Sequence, residues 1–325
     1  MKNYRLIAIA LVLSTVIMNA QAQTYNVLYN FGGRSGDPTG PHYSGIIAQG
    51  HDGNLYSAAD NHWTDELGAA FKITRGGAVT VLHHFRGSDG QGPTGGLTLA
   101  SDGQFYGTTQ SGGRHSQGTI FRITVGGALT TLYSFVGRID GSNPQAPPIQ
   151  GFNGSFYGTT FGGTAPGDYG SVYKITSSGV FTALHNFASI DGASPYAPLV
   201  QGNDGNFYGT TSSGGTHNAG TIFRIKPTGK FTVLFNFDGA HGATPYAPLM
   251  QGSDGNFYGV TSAGGSADGG ALRCRGGRRG RPACFRSPPG AEGLRGRTPA
   301  LHLARRRRAL ATPRPEHHGA DQIKM

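Results

Sequence analysis

Residues 1–273 contain no cysteine; the chain has only two, Cys274 and Cys284, near its end. Disulfides therefore cannot hold most of the 325 residues together. Charge is also sparse, at 14% of positions, and residues 24–270 contain a single glutamate, Glu66. Scarce charge beside 56 Gly and 18 Pro excludes a coiled coil or a long charged helical bundle. Long apolar runs are missing after the first 18 residues, so nothing later in the chain is long enough to cross a bilayer as a helix. What is abundant points the other way. Glycine turns joined to 18 Phe and 14 Tyr suit many short strands and give enough apolar surface to exclude a wholly disordered chain.

An excess of positive charge is absent from the body. The formal net charge is +10, yet residues 24–270 hold 11 Lys and Arg against 14 Asp and Glu, and residues 271–325 hold 14 against 3. The body is mildly acidic, and no nucleic-acid partner is implied.

Lys2 and Arg5 precede an apolar run over residues 6–18, followed by Ala20-Gln21-Ala22 and Gln23. This order predicts a signal peptide over 1–22, cleaved before Gln23, and a secreted, periplasmic or cell-envelope location. The run is shorter than the roughly 20 residues of a membrane span. No transmembrane segment is expected after cleavage.

The body is a tandem repeat. HDGNLYSAA, SDGQFYGTT, FNGSFYGTT, NDGNFYGTT and SDGNFYGVT begin at 51, 101, 152, 203 and 253. AAFKIT, TIFRIT, SVYKIT and TIFRIK follow, then the closing VLYNF, VLHHF, TLYSF, ALHNF and VLFNF. In the fourth copy, strands are expected over 198–201, 206–211, 221–226 and 231–237, with Asp-Gly and Pro-Thr-Gly turns between them. Four strands in about 50 residues predict an all-β fold, a β-propeller of about five blades with the last incomplete. The domain spans 23–272, and 273–325 is expected to be a basic, disordered tail. The chain opens with a fourth-strand copy, residues 24–31, which is expected to close the ring by joining the last blade.

DGNFYGTT, SGG, GTIFRI and VLFNF resemble the GloVer repeat of bacterial "choice-of-anchor" secreted proteins, over residues 24–272. The resemblance implies export, tandem β units and a C-terminal sorting segment, and carries over no catalytic residue. HDGNLYSAAD at 51–60 is also similar, more weakly, to NHL-type propellers. The first copy departs most, with Ser57-Ala58-Ala59 in place of Gly-Thr-Thr.

The tail breaks the pattern. Residues 271–325 have 13 Arg, no Tyr, Asn, Val or Trp, and begin a third strand that turns at Arg273, where the other copies carry Phe71, Phe121, Tyr173 and Phe223. A frameshift is the preferred account; a basic tail binding anions and an unrelated disordered extension are the alternatives. Cys274 and Cys284 lack zinc-site spacing.

Few residues suggest chemistry. Asp52-Gly53, Asp102-Gly103, Asn153-Gly154, Asp204-Gly205 and Asp254-Gly255 occupy one repeated turn and read as hairpin geometry rather than metal ligands. His115 and His217 follow Ser-Gly-Gly in the loop between second and third strands, and are either solvated or in contact with a ligand. His83 and His185 take a fourth-strand slot filled elsewhere by Tyr29, Tyr133 and Phe235, an aromatic packing position. Lys72, Arg122, Lys174 and Arg224 recur in the third strand, as a solvated face or a patch for an acidic ligand. No catalytic residue, metal site or cofactor is implied. The reading is a secreted, monomeric binding or scaffolding protein for a glycan or envelope protein. The alternative, a metal-dependent hydrolase or lyase acting on a carbohydrate or small ester, needs Asp, Glu, Asn or His from several blades converging on the axis.

Overall fold

The computed structural model describes residues 27–31, 46–60, 67–137, 139–162 and 167–265, with the strands Gly270–Arg275 and Ala283–Arg286. The expected signal segment 1–22, the cleavage point and the chain beyond 286 lie outside the described residues.

Each repeat builds one antiparallel four-stranded sheet in chain order, and the described residues contain no helix. The first sheet is β1 (Ala48–Gln49), β2 (Leu55–Ala59), β3 (Ala69–Ile73) and β4 (Val79–His84). The second is β5 (Thr98–Leu99), β6 (Phe105–Thr109), β7 (Thr119–Ile123) and β8 (Leu129–Ser134). The third is β9 (Ile149–Gln150), β10 (Phe156–Thr160), β11 (Ser171–Ile175) and β12 (Phe181–Asn186). The fourth is β13 (Val200–Gln201), β14 (Phe207–Thr211), β15 (Thr221–Ile225) and β16 (Phe231–Asn236), within two residues of the sequence expectation. The fifth is β17 (Met250–Gln251), β18 (Phe257–Thr261), β19 (Gly270–Arg275) and β20 (Ala283–Arg286).

The first hairpin of every sheet turns at the repeated Asp-Gly. Its glycines hold φ between +75° and +78°, a region that L side chains rarely adopt. The preceding Asp or Asn Oδ1 accepts the amide two residues on, as in Gln104 to Asp102 at 3.0 Å and Ser155 to Asn153 at 3.2 Å. The second strands β6, β10 and β14 are buried along their whole length, because both of their faces meet a neighbouring sheet. The core therefore lies between sheets. Tyr56, Tyr106, Tyr157 and Tyr208 each stack on a phenylalanine of the following sheet, with centroids 3.8–4.2 Å apart. Phe85 on Phe121, Phe135 on Tyr173 and Phe187 on Phe223 add edge-to-face contacts across the same seams at 5.2–5.6 Å. Such pairs contribute about 0.5–1.5 kcal/mol each beyond area burial.

Main-chain bonds fix the spacing. The residue before Pro93, Pro144, Pro195 and Pro245 is left-handed in every copy: Gly92 (φ +66°), Asn143 (+58°), Ser194 (+54°) and Thr244 (+54°). Its amide donates to the preceding sheet's loop at Leu67, Gln117, Tyr169 or Ala219, each at 2.9 Å. Its carbonyl accepts an amide just after the next sheet's second strand, Gln110, Phe161, Ser212 or Ser262, at 2.8–3.2 Å. Two buried backbone groups are satisfied at each seam, which offsets the strained conformation.

The fifth sheet corrects two expectations. It has four strands rather than an incomplete set: β19 spans Gly270–Arg275, and β20, not the N-terminal strand, takes the fourth place. Residues 27–31 form no strand and lie on the first sheet, where Phe31 meets Phe71 edge-on at 5.4 Å. Arg273 does not occupy the aromatic position. It pairs with Tyr258 as Arg224 pairs with Tyr208, and Leu272 faces Gly259 as Phe223 faces Gly209. The arginine thus takes the register position of Arg224, one residue away from the one that counting from Gly270 gives. Among the described residues no sixth sheet covers β18, and Val260 is 53% exposed where Thr210 is 3%.

Candidate functional site: two clefts beside one loop

Residues 110–117 connect β6 to β7 and stand as a ridge at one end of the second sheet. The ridge is held from below. Gly113 donates to Gly87 O at 2.7 Å and Ser111 to Gln91 O at 3.0 Å. A Cβ on Gly112 would lie 2.6 Å from Gly87 O, so glycine alone permits this approach. The side chains are thereby turned outward, into two clefts of about 430 Å³ each.

The cleft between the second and third sheets is lined by Gln110, Ser111, Ser116, Gln117, Asn143 and Phe161. All its polar groups are neutral, and amides can both donate and accept. Asn143 Oδ1 is already held by Gln145 Nε2 at 2.6 Å, which leaves the Asn143 amide nitrogen for a ligand. Phe161 starts an aromatic row along this rim, edge-on to Tyr196 at 6.1 Å, with Tyr196 edge-on to Tyr246 at 5.3 Å.

The cleft on the other side of the ridge is lined by Ser88, Arg114, His115, Thr131, Tyr133 and Ser134. It borders Asp89 and Asp140, whose carboxylates are turned to structural duties. Asp89 holds His83 Nε2 at 2.8 Å and the Arg86 amide at 2.8 Å. Asp140 accepts the Tyr133 phenol at 2.7 Å and the Gly137 amide at 3.0 Å.

Of the sequence candidates, His115 thus lines a cleft, whereas His217, in the fourth sheet, is exposed with its Nδ1 3.0 Å from Thr216 Oγ1. The two lie on different sheets and share no cleft. The repeated turn residues carry a second bond. The phenols of Tyr56, Tyr106, Tyr208 and Tyr258 donate to Asp52, Asp102, Asp204 and Asp254 at 2.7–2.8 Å, and Asn153 Nδ2 donates to Tyr157 Oη at 2.8 Å. Burial, and then the aspartate, push the Tyr56, Tyr106 and Tyr208 phenols up to about 12. Tyr56 pairs with Lys72, Tyr106 with Arg122, Tyr157 with Lys174 and Tyr208 with Arg224 across the strands, so these cations sit half-buried beside the phenols.

Sequence reading missed the acids behind His83 and His185. His185 Nε2 lies 3.0 Å from Asp191 Oδ2, and its ring stacks on Phe231 at 3.8 Å. Burial lowers the His185 pKa, against the opposing pull of Asp191. The signal was the six-residue spacing, His83 to Asp89 and His185 to Asp191. Among the described residues, no three His, Cys, Asp or Glu side chains are grouped to hold a metal ion.

This repeat architecture coincides with a sequence match: residues 15–139 and 41–273 fit the Gloeobacter/Verrucomicrobia repeat. The chain belongs to the Gloeobacter/Verrucomicrobia repeat family. No curated protein matches it in sequence. Among solved structures, this repeat protein is similar to a gluconolactonase from Xanthomonas campestris, at 16% identity over 76% of this chain and 77% of the other, with a TM-score of 0.44. It is similar to PorZ, a surface component of the type-IX secretion system of Porphyromonas gingivalis, at 15% identity, covering 77% of this chain and 35% of PorZ, with a TM-score of 0.48. A putative exo-β-1,3-galactanase from Bifidobacterium bifidum aligns at 10% identity over 75% of this chain and 90% of the other, with a TM-score of 0.41. None of these likenesses bears on an activity of the Gloeobacter/Verrucomicrobia repeat protein. Among the described residues, no helix is long and apolar enough to cross a membrane.

Proposed function

We propose that this repeat protein is an exported, monomeric binding scaffold, its sheets standing around a common axis as propeller blades, and that it holds a glycan. The observation that carries this reading is the cleft between the second and third sheets, where Gln110, Gln117, Ser116 and Asn143 meet Phe161 with no charge among them. A sugar presents hydroxyls that donate and accept, plus apolar ring faces. Neutral amides match the first and an aromatic ring the second. The row through Tyr196 to Tyr246, the latter 49% exposed, extends the same surface past one cleft and suits a chain of several sugars. Export rests on the N-terminal charge, apolar run and Ala20-Gln21-Ala22 order.

Isothermal titration against a panel of neutral oligosaccharides tests the binding reading. Binding that Gln117→Ala and Phe161→Ala weaken about tenfold each supports it; binding that both variants leave unchanged refutes this cleft. N-terminal sequencing of protein recovered outside the cytoplasm tests the export reading, with Gln23 as the expected first residue.

A further inference from the structure

The loop 110–117 has a near twin at 212–219 in the fourth sheet, and the comparison isolates what is particular to the second. Their backbones agree. Gly112, Gly113 and Ser116 hold φ of +75°, +76° and +58°, and Gly214, Gly215 and Asn218 hold +72°, +78° and +53°. Gly118 donates to Gly112 O at 3.1 Å and Gly220 to Gly214 O at 3.0 Å. The side chains differ at four positions: Gln110, Arg114, Ser116 and Gln117 stand where Ser212, Thr216, Asn218 and Ala219 do. The repeat's symmetry is thus broken by side chains on an unchanged frame, and three of the four line the neutral cleft while Arg114 lines the other.

Arg114 is exposed, and no carboxylate pairs with it among the described residues. Its main chain is tied, the amide donating to Ser134 Oγ at 3.4 Å, so the guanidinium projects from a fixed base. The acids nearest in the chain to this cleft, Asp89 and Asp140, are consumed by His83, Tyr133 and backbone amides. The cleft therefore presents Arg114 and His115 with hydroxyls from Ser88, Thr131 and Ser134, and no carboxylate, on a body whose acids outnumber its bases. Consecutive residues, His115 and Ser116, face the two clefts, so one extended ligand can lie over the ridge and occupy both.

We infer that the ligand is an acidic polysaccharide, a sugar chain carrying carboxylates, with a neutral portion in the Gln110–Gln117 cleft and a carboxylate on the Arg114 guanidinium. This rests on the glycan reading above and adds its charge. The guanidinium fork matches a planar carboxylate with two parallel hydrogen bonds, a fit that a single hydroxyl cannot reproduce.

The test uses polygalacturonate, alginate and hyaluronan, each beside its methyl-esterified form, which keeps the sugars and removes the charge. Titration of the full chain is expected to show one acid form binding about tenfold tighter than its ester, with the difference shrinking as salt rises. Arg114→Thr copies the fourth sheet's loop, so it should leave the thermal midpoint unchanged. It should bring the acid form down to the affinity of the ester and leave ester binding as it was. Equal binding of acid and ester by the unaltered protein overturns the inference while leaving the glycan reading intact. So does failure of all three acid chains while neutral oligosaccharides bind. Acid binding that Arg114→Thr abolishes but Gln117→Ala does not touch supports the carboxylate site and refutes the neutral cleft.

Discussion

Tyr106 in the second sheet lies flat on Phe156 of the third, ring centroids 3.8 Å apart and planes at 24°, with both rings fully buried. The same phenol donates to Asp102 at 2.8 Å, so one side chain closes its own hairpin and joins two sheets. Packing and hydrogen bonding make separable contributions here. Tyr106→Ala is expected to cost about 3–5 kcal/mol through the lost aromatic, and Tyr106→Phe only about 1 kcal/mol through the lost hydrogen bond. Urea unfolding of both variants checks this, and equal losses would show that the hairpin's hydrogen bond, not the stack between sheets, carries this side chain's contribution.

The turn network sets the pH range of stability. At Asp204, burial works to raise the carboxyl, but hydrogen bonds from Asn206 and Tyr208 outweigh it and the pKa is lowered from 3.8. At Asp52 the Tyr56 hydrogen bond leads the lowering. A depressed carboxyl stabilises the fold above its unfolded pKa, and that contribution is lost as pH falls through the folded value. The tyrosines behave oppositely. Raised from 10.0 to about 12, they contribute fully below 10 and lose that contribution as pH climbs through about 12. Urea midpoints measured from pH 2 to 12 should fall at both ends. Asp204→Asn, which copies the natural Asn153, should lower the plateau and flatten the acid limb; an unchanged acid limb would remove Asp204 from this account.

How much of this was legible depends on how local each signal is. Asp102-Gly103 and its four counterparts announce a turn by themselves, and the alternation around them placed the strands to within two residues in the fourth copy. The second bond of Asp102, to Tyr106, spans four residues and hides behind the first. Asn143 before Pro144 runs against local preference, since a residue preceding proline favours extended backbone; only the neighbouring sheets make its left-handed turn worthwhile. Arg273 was misplaced because counting from Gly270 assumes a register. The ladder instead pairs Gly270 with Thr261, as Thr221 pairs with Thr211. Of the clefts only His115 was legible, from its place after Ser-Gly-Gly; the neutral cleft was not, because Gln110 and Asn143 come from different repeats.

Tyr173 departs from its counterparts and points to a stabilising change. It stands where the first, second and fourth copies carry Phe71, Phe121 and Phe223, fully buried, with a hydroxyl that finds no hydrogen-bond partner. Burial alone pushes its phenol pKa up. An unsatisfied buried hydroxyl costs about 1–3 kcal/mol, so Tyr173→Phe is expected to raise stability by up to that amount. Thermal melting checks it, and a lower midpoint would mean that the space around the hydroxyl requires filling.

Two glycines with similar backbone angles should respond differently to substitution. Gly118 has φ +96°, and a Cβ there would lie 2.4 Å from Thr109 O and 2.8 Å from Pro144 Cδ. Gly205 has φ +76° and nothing within 4 Å. Gly118→Ala should therefore cost well over 1 kcal/mol, while Gly205→Asn, which tolerates the left-handed region, should cost about 1 kcal/mol or less. Equal losses in urea unfolding would assign both effects to backbone angle alone.

The seam at Gly92, Asn143, Ser194 and Thr244 is written almost wholly in peptide groups, and four different side chains occupy it without altering the bonds. A junction of this kind asks nothing of its neighbours beyond a chain that can turn there. A duplicated or deleted unit finds a ready-made socket on either side, with no compensating substitution to wait for. Length can then vary by whole repeats in evolution while the rim loops diverge independently, so that relatives of this chain inherit a common frame and need not inherit a common ligand.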